Sequence, residues 1–465
     1  MLRITLIDPK GTLEGLNTGL GYLAGALISK GFDPEIIDFN NYPANFLSRL
    51  KAISSPIIGI SIKTATLPEA VKIARIIKQH DKSKIIVGGG PGVTLLKEDF
   101  IKQYPIFDAG IIGEGENSFL ELVKALAGQQ SLDEVEGIVY KYAGQIKYTQ
   151  YSFIKDLDAL PYPNYEVFDS IKRQGIKSYP LVTSRGCPYQ CSYCVVPKVS
   201  GPQWRSRTIA NVIDELQAAI KKHQIKNFRI KDDNFTLDEK RVAEFCEALL
   251  KNTWNLKWGC VNGFRADTLN FNLLSLMKKA GCEYISIGIE SLDQEVFENL
   301  NKGETLQDIT ATVKYLQKAG IKVIGQFILG LPYSNYQKDC QTVKKTRELG
   351  LNAAIFNYFI AYPQTPIWEQ ISEKRKGGAD WEKSSQCVEI KPVVSGLDYP
   401  ASLKIKMYYQ SNLLYKNYHL LAAFNDPFYK KVFKLITAIL RYDLIHTGDH
   451  FMALGNLLIK RLGNG

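Results

Sequence analysis

The sequence predicts an α/β protein with two parallel-sheet domains: an N-terminal doubly wound, Rossmann-like domain, followed by a partial (β/α)6 barrel and a helical C-terminal region. The chain of 465 residues is too long for one typical compact domain, and its composition is that of an ordinary folded protein. Apolar strand segments alternate with helix-period segments over residues 1–125 and again over 179–365, and a polar, proline-containing stretch separates the two series. The expected domains are 1–150, 179–370 and 371–465, with a linker at 151–178.

The first series carries glycines and polar residues at the ends of its strands. Its five apolar runs read RITLID, PEIIDF, PIIGISI, KIIVGG and AGIIGEG. Parallel sheets of this kind bind ligands at the carboxyl ends of their strands. The residues at those ends are Asp8, Gly59 to Thr64, Gly88 to Gly90 and Gly113 to Glu116. A hairpin over residues 135–150, turning at Ala143 and Gly144, is predicted to follow.

The second series contains six strand candidates separated by helical segments. They read LVTS, FRIKDD, KWGCVNGF, YISIGIES, KVIGQFILGL and AAIFNYFIAY. Six βα units suit a partial or full parallel barrel, and the chemistry of such barrels lies at the C-terminal ends of their strands.

The predicted helical C-terminal region, 371–465, is basic. Residues 401–465 hold nine Lys and Arg against three Asp and Glu, so they contribute +6 of a formal net charge of +11. Between Phe428 and Ile445 a basic stripe lies opposite an apolar one, which is typical of an amphipathic helix. Such a helix would cap the barrel, or it would contact an anionic membrane surface or a lipid-like substrate.

The N-terminal sequence and the composition exclude several classes of protein. The start MLRITLIDPK lacks the features of a secretory signal, and no apolar run approaches the ~18–20 residues that cross a bilayer. We therefore expect a cytoplasmic protein, with peripheral membrane contact through its basic region as the one alternative. A nucleic-acid partner is not expected, because no RNA-binding module accompanies the positive charge.

One group of cysteines stands out: Cys187, Cys191 and Cys194, in the segment SRGCPYQCSYCVVPK. Three thiolates cannot fill the four positions of a [4Fe–4S] cluster, so one iron would keep an open coordination site. Structural zinc would need a fourth Cys or His, and none lies within twenty residues on either side. The remaining cysteines are singly spaced and fit buried structural thiols: Cys246, Cys260, Cys282, Cys340 and Cys387. One iron–sulfur cluster is predicted.

The CxxxCxxC spacing, with an aromatic residue before the last cysteine, resembles the signature of the radical S-adenosylmethionine (SAM) superfamily. Three further segments resemble motifs of that family's barrel: KDDNF at 231–235, GIES at 288–291 and GQFILGLP at 325–332. The resemblance places six residues against SAM: Tyr193, Asp232, Asp233, Glu290, Ser291 and Gln326.

The resemblance also implies a reaction. The open iron would chelate the amino and carboxylate groups of SAM. One electron, supplied by an external donor of the flavodoxin or ferredoxin type, would cleave SAM to a 5′-deoxyadenosyl radical, which takes hydrogen from an unactivated carbon. The protein's task would be positioning, exclusion of water and redox tuning.

Residues 13–125 resemble the cobalamin-binding domain that precedes the barrel in part of this family. The resemblance assigns eight residues to cobalamin: Ser61, Lys63, Gly88, Gly89, Gly90, Gly113, Glu114 and Gly115. The DxHxxG motif that supplies a histidine ligand to cobalt elsewhere is absent, and His80, the one histidine before the linker, falls in a predicted helix. The domain is therefore expected to hold cobalamin without a histidine ligand, or to have lost the cofactor.

The resemblance implies, first, a methyltransferase that methylates an unactivated carbon of a small-molecule or lipid-like substrate. The alternative is an oxidative cyclase or a ring-contraction or rearrangement enzyme, because relatives with this architecture include such enzymes of hopanoid and tetrapyrrole chemistry. A cobalamin or redox sensor without turnover is the third hypothesis, and the complete set of barrel motifs argues against it.

Overall fold

The fold is given by a computed structural model that describes residues 2–11, 15–371, 411–412, 436–437 and 439. It has the predicted α/β class, with two successive parallel sheets. Most of the predicted helical region 371–465, including Cys387 and all but three residues of the segment 428–445, lies outside the described residues. Among the described helices, none is long and apolar enough to span a membrane.

The first sheet has seven strands, and its first five run parallel to one another in the order β2-β1-β3-β4-β5. This order is doubly wound, because the direction of travel along the sheet reverses between β1 and β3. The antiparallel β6 and β7 extend the sheet beyond β5. The strands are β1 (Arg3–Asp8), β2 (Asp33–Asp38), β3 (Ile57–Ser61), β4 (Ile85–Gly89), β5 (Ala109–Ile111), β6 (Ile138–Tyr142) and β7 (Gln145–Tyr148).

Helices connect the parallel strands, and local sequence explains their positions. The first helix begins where the Asn17 side chain accepts a hydrogen bond from the Leu20 amide. The predicted hairpin is confirmed: Ala143 and Gly144 have φ values of 50° and 80°, as a two-residue primed turn requires. The helices are α1 (Thr18–Ser29), α2 (Phe46–Lys51), α3 (Leu67–His80), α4 (Pro91–Leu96), α5 (Glu98–Gln103) and α6 (Gly115–Leu126), and α7 (Asp169–Gln174) follows in the connecting segment.

The second sheet confirms the six predicted barrel strands, all parallel, in the order β8-β11-β12-β13-β14-β15. A short antiparallel pair, β9 with β10, lies at its mouth. The strands are β8 (Tyr179–Leu181), β9 (Ser184–Arg185), β10 (Arg205–Ser206), β11 (Asn227–Ile230), β12 (Lys257–Phe264), β13 (Cys282–Glu290), β14 (Lys322–Leu329) and β15 (Ala353–Tyr358). The helices are α8 (Val196–Val199), α9 (Ile209–His223), α10 (Glu239–Asn252), α11 (Phe271–Lys279), α12 (Gln294–Glu298), α13 (Leu306–Ala319), α14 (Tyr336–Glu348) and α15 (Pro366–Gln370).

The first barrel strand ends earlier than the segment LVTS predicts. Strand β8 stops at Leu181, and the chain turns so that Ser184 enters the antiparallel pair. The physical reason is Asp232, whose carboxylate accepts hydrogen bonds from the amide and hydroxyl of Thr183, both at 2.6 Å. These bonds draw the chain away from a straight strand.

The segment between the two sheets packs tightly against α1. A Cβ atom at Gly21 would lie 2.5 Å from the ring of Tyr165, and one at Gly25 would clash with the carbonyl oxygen of Tyr162. The Tyr165 ring also makes an edge contact with Tyr179 of β8, with ring centroids 5.4 Å apart. The connecting segment therefore joins the first helix of the N-terminal domain to the first strand of the barrel.

Candidate functional site

A cavity of about 360 Å³ lies between the carboxyl edge of the first sheet and the mouth of the barrel. This volume is within the range of small-molecule sites. All eight residues that the sequence assigns to cobalamin line it, together with the barrel residues Ser184, Arg185, Lys231 and Asp233. The topology brings them together because the carboxyl ends of parallel strands meet at one edge of a sheet.

Two of the glycines at the cavity hold backbone conformations that other residues rarely adopt. Gly90 has φ +105°, and a Cβ atom there would lie 3.0 Å from the carbonyl oxygen of Ile62. Gly113 has φ +78°, and its Cβ would lie 2.6 Å from the ring of Tyr151. The glycines thus shape the cavity wall through the backbone.

Hydrogen bonds between side chains beside the cavity connect the end of β1 to the end of β3. The Asn17 amide donates to Asp8 Oδ1 at 2.8 Å and to Ser61 Oγ at 3.0 Å. Burial raises the pKa of Asp8 to about 6, although Lys63 nearby opposes that shift. The other oxygen of Asp8, Oδ2, is buried without a hydrogen-bond partner among the described residues.

Buried ion pairs connect the two domains next to the cavity. Glu114 accepts hydrogen bonds from Arg185 Nη1 at 3.1 Å and from Arg205 Nη1 at 2.8 Å, and Glu116 accepts one from Arg185 Nη2 at 2.6 Å. Burial alone would raise the pKa of Glu114, but the guanidiniums of Arg205 and Arg185 hold it below its usual value. The predicted cobalamin residue Glu114 therefore binds the barrel segment that leads into the cysteine loop.

The three cysteines lie in the loop between β9 and α8, at the mouth of the barrel. Gly186 begins the loop at φ +84°, where a Cβ would clash with the carbonyl oxygen of Gln203. Backbone hydrogen bonds anchor the loop at Ser192, whose amide donates to the Leu300 carbonyl at 2.9 Å. The loop is therefore fixed to both the β9–β10 pair and the turn after α12.

Two tyrosines of the loop attach it to the barrel strands. The Tyr193 hydroxyl donates to Glu290 Oε1, at the end of β13, over 2.8 Å. The guanidinium of Arg265, just after β12, lies 3.6 Å from the ring centroid of Tyr189. Arg265 and Tyr189 were not predicted from the sequence, because a contact between a loop and a residue about seventy-five positions later leaves no local pattern.

The environment of the sulfur atoms fits cluster ligands. Burial raises the pKa of all three thiols, that of Cys194 to about 12, while backbone amides near Cys187 and Cys194 and the positive charge of Lys302 near Cys191 favour the thiolate forms. Within the described ranges, no three His, Cys, Asp or Glu side chains converge closely enough to hold a single metal ion. A four-iron cluster spaces its sulfur ligands more widely than one ion does.

The adjacent acidic residues after β11 differ in their surroundings. Asp232 is buried, and its oxygens bind Thr183 and Ser184. Asp233 lines the cavity, and its Oδ2 accepts the Gly186 amide at 3.0 Å. Asn234, which the sequence did not single out, has its Nδ2 3.9 Å from the sulfur of Cys187, and its buried Oδ1 has no partner among the described residues. That oxygen can accept a hydrogen bond from an ammonium group at this place.

The remaining predicted SAM residues lie at the ends or inner faces of β13 and β14. Glu290 has φ +66° and lies 3.5 Å from the Nζ of buried Lys302. Gln326 donates from Nε2 to Ser286 Oγ at 2.9 Å, across the inner face. Ser291 is buried, and its Oγ lies 3.3 Å from the Thr342 hydroxyl on α14. The structure therefore brings Glu290 and Tyr193 together and directs Ser291 toward a helix.

Family comparisons agree with this division of the chain. A model of the radical SAM superfamily matches residues 181–345, and a model of the B12 binding domain matches residues 10–123. An uncharacterized methyltransferase of Pyrococcus horikoshii is 32% identical over 357 residues, which cover 76% of this chain and 77% of the relative. This chain belongs to the cobalamin-binding radical SAM enzymes. The resemblance stated from the motifs is confirmed.

Other members of the cobalamin-binding radical SAM family show the range of its reactions. The anaerobic magnesium-protoporphyrin IX monomethyl ester cyclase of Rubrivivax gelatinosus is 29% identical over 76% of this chain and 66% of its own length. The radical SAM methyltransferase TsrM of Kitasatospora setae has a TM-score of 0.69 at 18% identity, covering 81% of this chain and 77% of TsrM. The enzyme OxsB has a TM-score of 0.70 at 19% identity, covering 99% of this chain and 75% of OxsB. These two structures support the fold.

The cofactors of the family are a [4Fe–4S] cluster, SAM and cobalamin, and the residues present fit all three. The cysteine loop offers three thiols, the unpartnered oxygen of Asn234 lies beside it, and the glycine-rich edge of the first sheet lines the cavity between the two sheets. As a radical SAM enzyme, the protein needs an electron donor.

Proposed function

We propose that this enzyme methylates an unactivated carbon of a small-molecule substrate. The observation that carries the proposal is the shared cavity, in which the eight candidate cobalamin residues face Ser184, Arg185 and Asp233 of the barrel mouth. A reaction that joins two cofactors needs both of them to reach one carbon atom, and a cavity lined by both domains supports such an arrangement.

When bound, the cluster and SAM supply a 5′-deoxyadenosyl radical, and cobalamin supplies a transferable methyl group. The chain's residues bind, orient and enclose. Cys187, Cys191 and Cys194 are the proposed ligands of the cluster. Asp233 and the oxygen of Asn234 are placed to accept hydrogen bonds from an ammonium group, and Glu290, held by the Tyr193 hydroxyl, is placed to accept hydrogen bonds from hydroxyl groups.

On the opposite side of the cavity, the first sheet would hold cobalamin mainly through its backbone. The candidate residues there are Ser61, Lys63, Gly88, Gly89, Gly90, Gly113 and Gly115. Glu114 is proposed as a positioning residue, because its carboxylate is engaged by Arg185 and Arg205.

The test is anaerobic turnover of the full chain with SAM carrying a deuterated methyl group, added cobalamin, a pool of small molecules and a reduced flavodoxin or ferredoxin. We expect 5′-deoxyadenosine together with a product that gains the labelled methyl group. A matched variant, Cys191→Ala, should form neither. If the wild-type protein forms neither, the proposal is refuted.

A second candidate is an oxidative cyclase or rearrangement enzyme acting on a tetrapyrrole-like or lipid-like substrate. It is favoured by the similarity to the Rubrivivax gelatinosus cyclase. The basic stripe between Phe428 and Ile445 would then give peripheral contact with a membrane. The same assay separates the two candidates: 5′-deoxyadenosine with a product that lacks the label would favour the cyclase, and methyl label in the product would exclude it.

A further inference from the structure

Two cations and an acid occupy alternate positions at the end of β11 and just after it: Arg229, Lys231 and Asp233. Phe228 and Ile230 are buried, and the ring of Phe228 lies 6.2 Å from that of Phe245 on α10, so this face of the strand packs against the helices. Because side chains alternate along a strand, Arg229 lies on the opposite face of β11, and Lys231 and Asp233 come directly after the strand. Lys231 and Asp233 both line the cavity between the domains.

Lys231 is a largely enclosed cation without a counter-ion. Within the part of the chain that the structure describes, its ammonium group makes no hydrogen bond and no ion pair. Burial lowers its pKa, and the positive charges of Arg229 and of Lys63 across the cavity lower it further. Asp233 lines the same cavity but makes no ion pair with Lys231; its carboxylate binds the Gly186 amide and the Ser200 side chain instead.

Arg229 is exposed and lies near the ring of Tyr284. Its register partner on β12 is Gly259, whose own partner on β13 is Tyr284. A Cβ atom at Gly259 would clash with the Tyr284 ring. Because glycine has no Cβ atom, the Tyr284 ring can lie over Gly259 on the side of Arg229. The charge of Arg229 in turn acts on the Tyr284 hydroxyl. The lumen thus offers a lysine, an arginine and a phenol, all of which can donate hydrogen bonds.

Enclosed charges in proteins are normally paired, because removing a cation from water without a partner is costly. Lys231 is partly buried, and Arg229 and Lys63 add positive charge from exposed positions, so an anion is attracted to this space. We infer that Lys231, supported by Arg229, binds a carboxylate or phosphate group of the substrate inside the barrel. The inference rests on the proposed function, since it assumes that the substrate occupies the cavity shared by the two cofactors.

The substrate is the assigned occupant because the cofactor candidates lie elsewhere. Of the residues proposed to bind SAM, Glu290 and Gln326 lie on β13 and β14. Asp233 and Asn234 follow β11 as Lys231 does, but they are placed to accept hydrogen bonds from an ammonium group, which the positive charge of Lys231 would repel. The candidate cobalamin residues lie on the first sheet. Lys231 therefore remains as a binding group for a third molecule.

The first experiment measures binding of two radiolabelled probes, inorganic phosphate and acetate, to the full chain by equilibrium dialysis at fixed ionic strength. We expect at least one probe to bind, and Lys231→Gln to weaken its affinity about tenfold or more, as loss of a charge-assisted hydrogen bond does. Lys231→Arg should retain most of the affinity. Lys221→Gln, which removes a lysine of the same charge from the exposed face of α9, is the matched control and should change nothing. No binding of either probe, or equal losses in Lys231→Gln and Lys221→Gln, would overturn the inference.

The second experiment separates the substrate from the cofactors. Lys231→Gln should keep wild-type affinity for SAM and wild-type cobalamin content, both measured on the isolated protein. A loss of either cofactor in parallel with the anion would assign the lysine to that cofactor and overturn the inference. Failure of the proposed function looks different: wild-type protein would form no 5′-deoxyadenosine while its phosphate or acetate binding still depended on Lys231.

Discussion

The two sides of the cavity differ in the groups that they present to it, which are mainly backbone on one side and side chains on the other. The edge of the first sheet presents mainly backbone, since five of its eight candidate residues are glycines, and contacts such as that of Gly90 with Ile62 fix its shape. The barrel mouth presents side chains, several of them held by a partner, as Tyr193 is by Glu290. The difference indicates that shape dominates recognition on one side and that charge and hydrogen bonds dominate on the other.

The largest expected effect is at the barrel mouth. Cys187→Ala, Cys191→Ala and Cys194→Ala should each abolish iron binding and 5′-deoxyadenosine formation, because two thiolates do not hold a cluster with one open iron. Iron content and 5′-deoxyadenosine are measured anaerobically. The control is Cys246→Ala, a buried thiol on α10, which should keep its iron. Iron retained at wild-type levels in the three loop variants would contradict the assignment.

The next effect tests the connection between the two sides. Glu114→Gln leaves the buried Arg205 without its carboxylate and Arg185 with Glu116 alone, and should lower the free energy of unfolding by about 3 kcal/mol. Denaturant titration measures it. Glu121→Gln is the control, because Glu121 pairs with Lys124 on the surface, and such pairs contribute about 0–1 kcal/mol. Equal losses of unfolding free energy in both variants would show that the interdomain ion pairs contribute no more than a surface ion pair.

The stability difference between wild type and Glu114→Gln is expected to depend on pH. The pKa of Glu114 is lower in the folded protein than its ordinary value of about 4.5. Its contribution to stability is therefore present above about pH 4.5 and is lost as the pH falls through the folded pKa. The stability difference between wild type and Glu114→Gln should shrink on acidification below pH 4.5, as measured by denaturant titration. A difference that grows would contradict the assigned ion pairs.

Two glycines with nearly equal φ values test the side of the cavity that the backbone of the first sheet forms. Gly113 has φ +78° and contacts Tyr151, whereas Gly128 has φ +77° and a Cβ atom there would meet nothing within 4 Å. Replacement of either by Ala costs about 1–2 kcal/mol of backbone strain. Only Gly113→Ala should also lower cobalamin content, because Tyr151 must move at the cavity wall. Equal cobalamin content in both variants would argue that the wall does not depend on this contact.

The smallest expected effect is a loss of SAM affinity when a single hydrogen bond is removed. Tyr193→Phe removes the hydroxyl that binds Glu290, and should weaken SAM binding by about 1 kcal/mol without changing iron content. Tyr142→Phe, at an exposed ring, is the control. Equilibrium dialysis with labelled SAM measures the difference. Unchanged SAM affinity in Tyr193→Phe would remove Glu290 from the proposed SAM site.

The sequence predicted the features that repeat locally. Both sheets, the hairpin at Ala143 and Gly144, and the cysteine loop follow from strand periodicity, turn residues and short spacing. It did not predict contacts between residues far apart in the chain. Arg265 over Tyr189 and the pairing of Glu114 with Arg205 depend on how the barrel closes and how the domains meet. Adjacent residues were also indistinguishable: Asp232 and Asp233 read alike in sequence, but Asp232 binds Thr183 while Asp233 lines the cavity.

The central claim is that one cavity serves both cofactor systems of this enzyme. The most direct measurement is the visible spectrum of the anaerobically purified full chain, together with its cobalamin and iron content. We predict roughly one cobalamin and four iron atoms per chain, and a fall in cobalamin but not in iron in Gly113→Ala. A protein with a full complement of iron that takes up no cobalamin would contradict the claim.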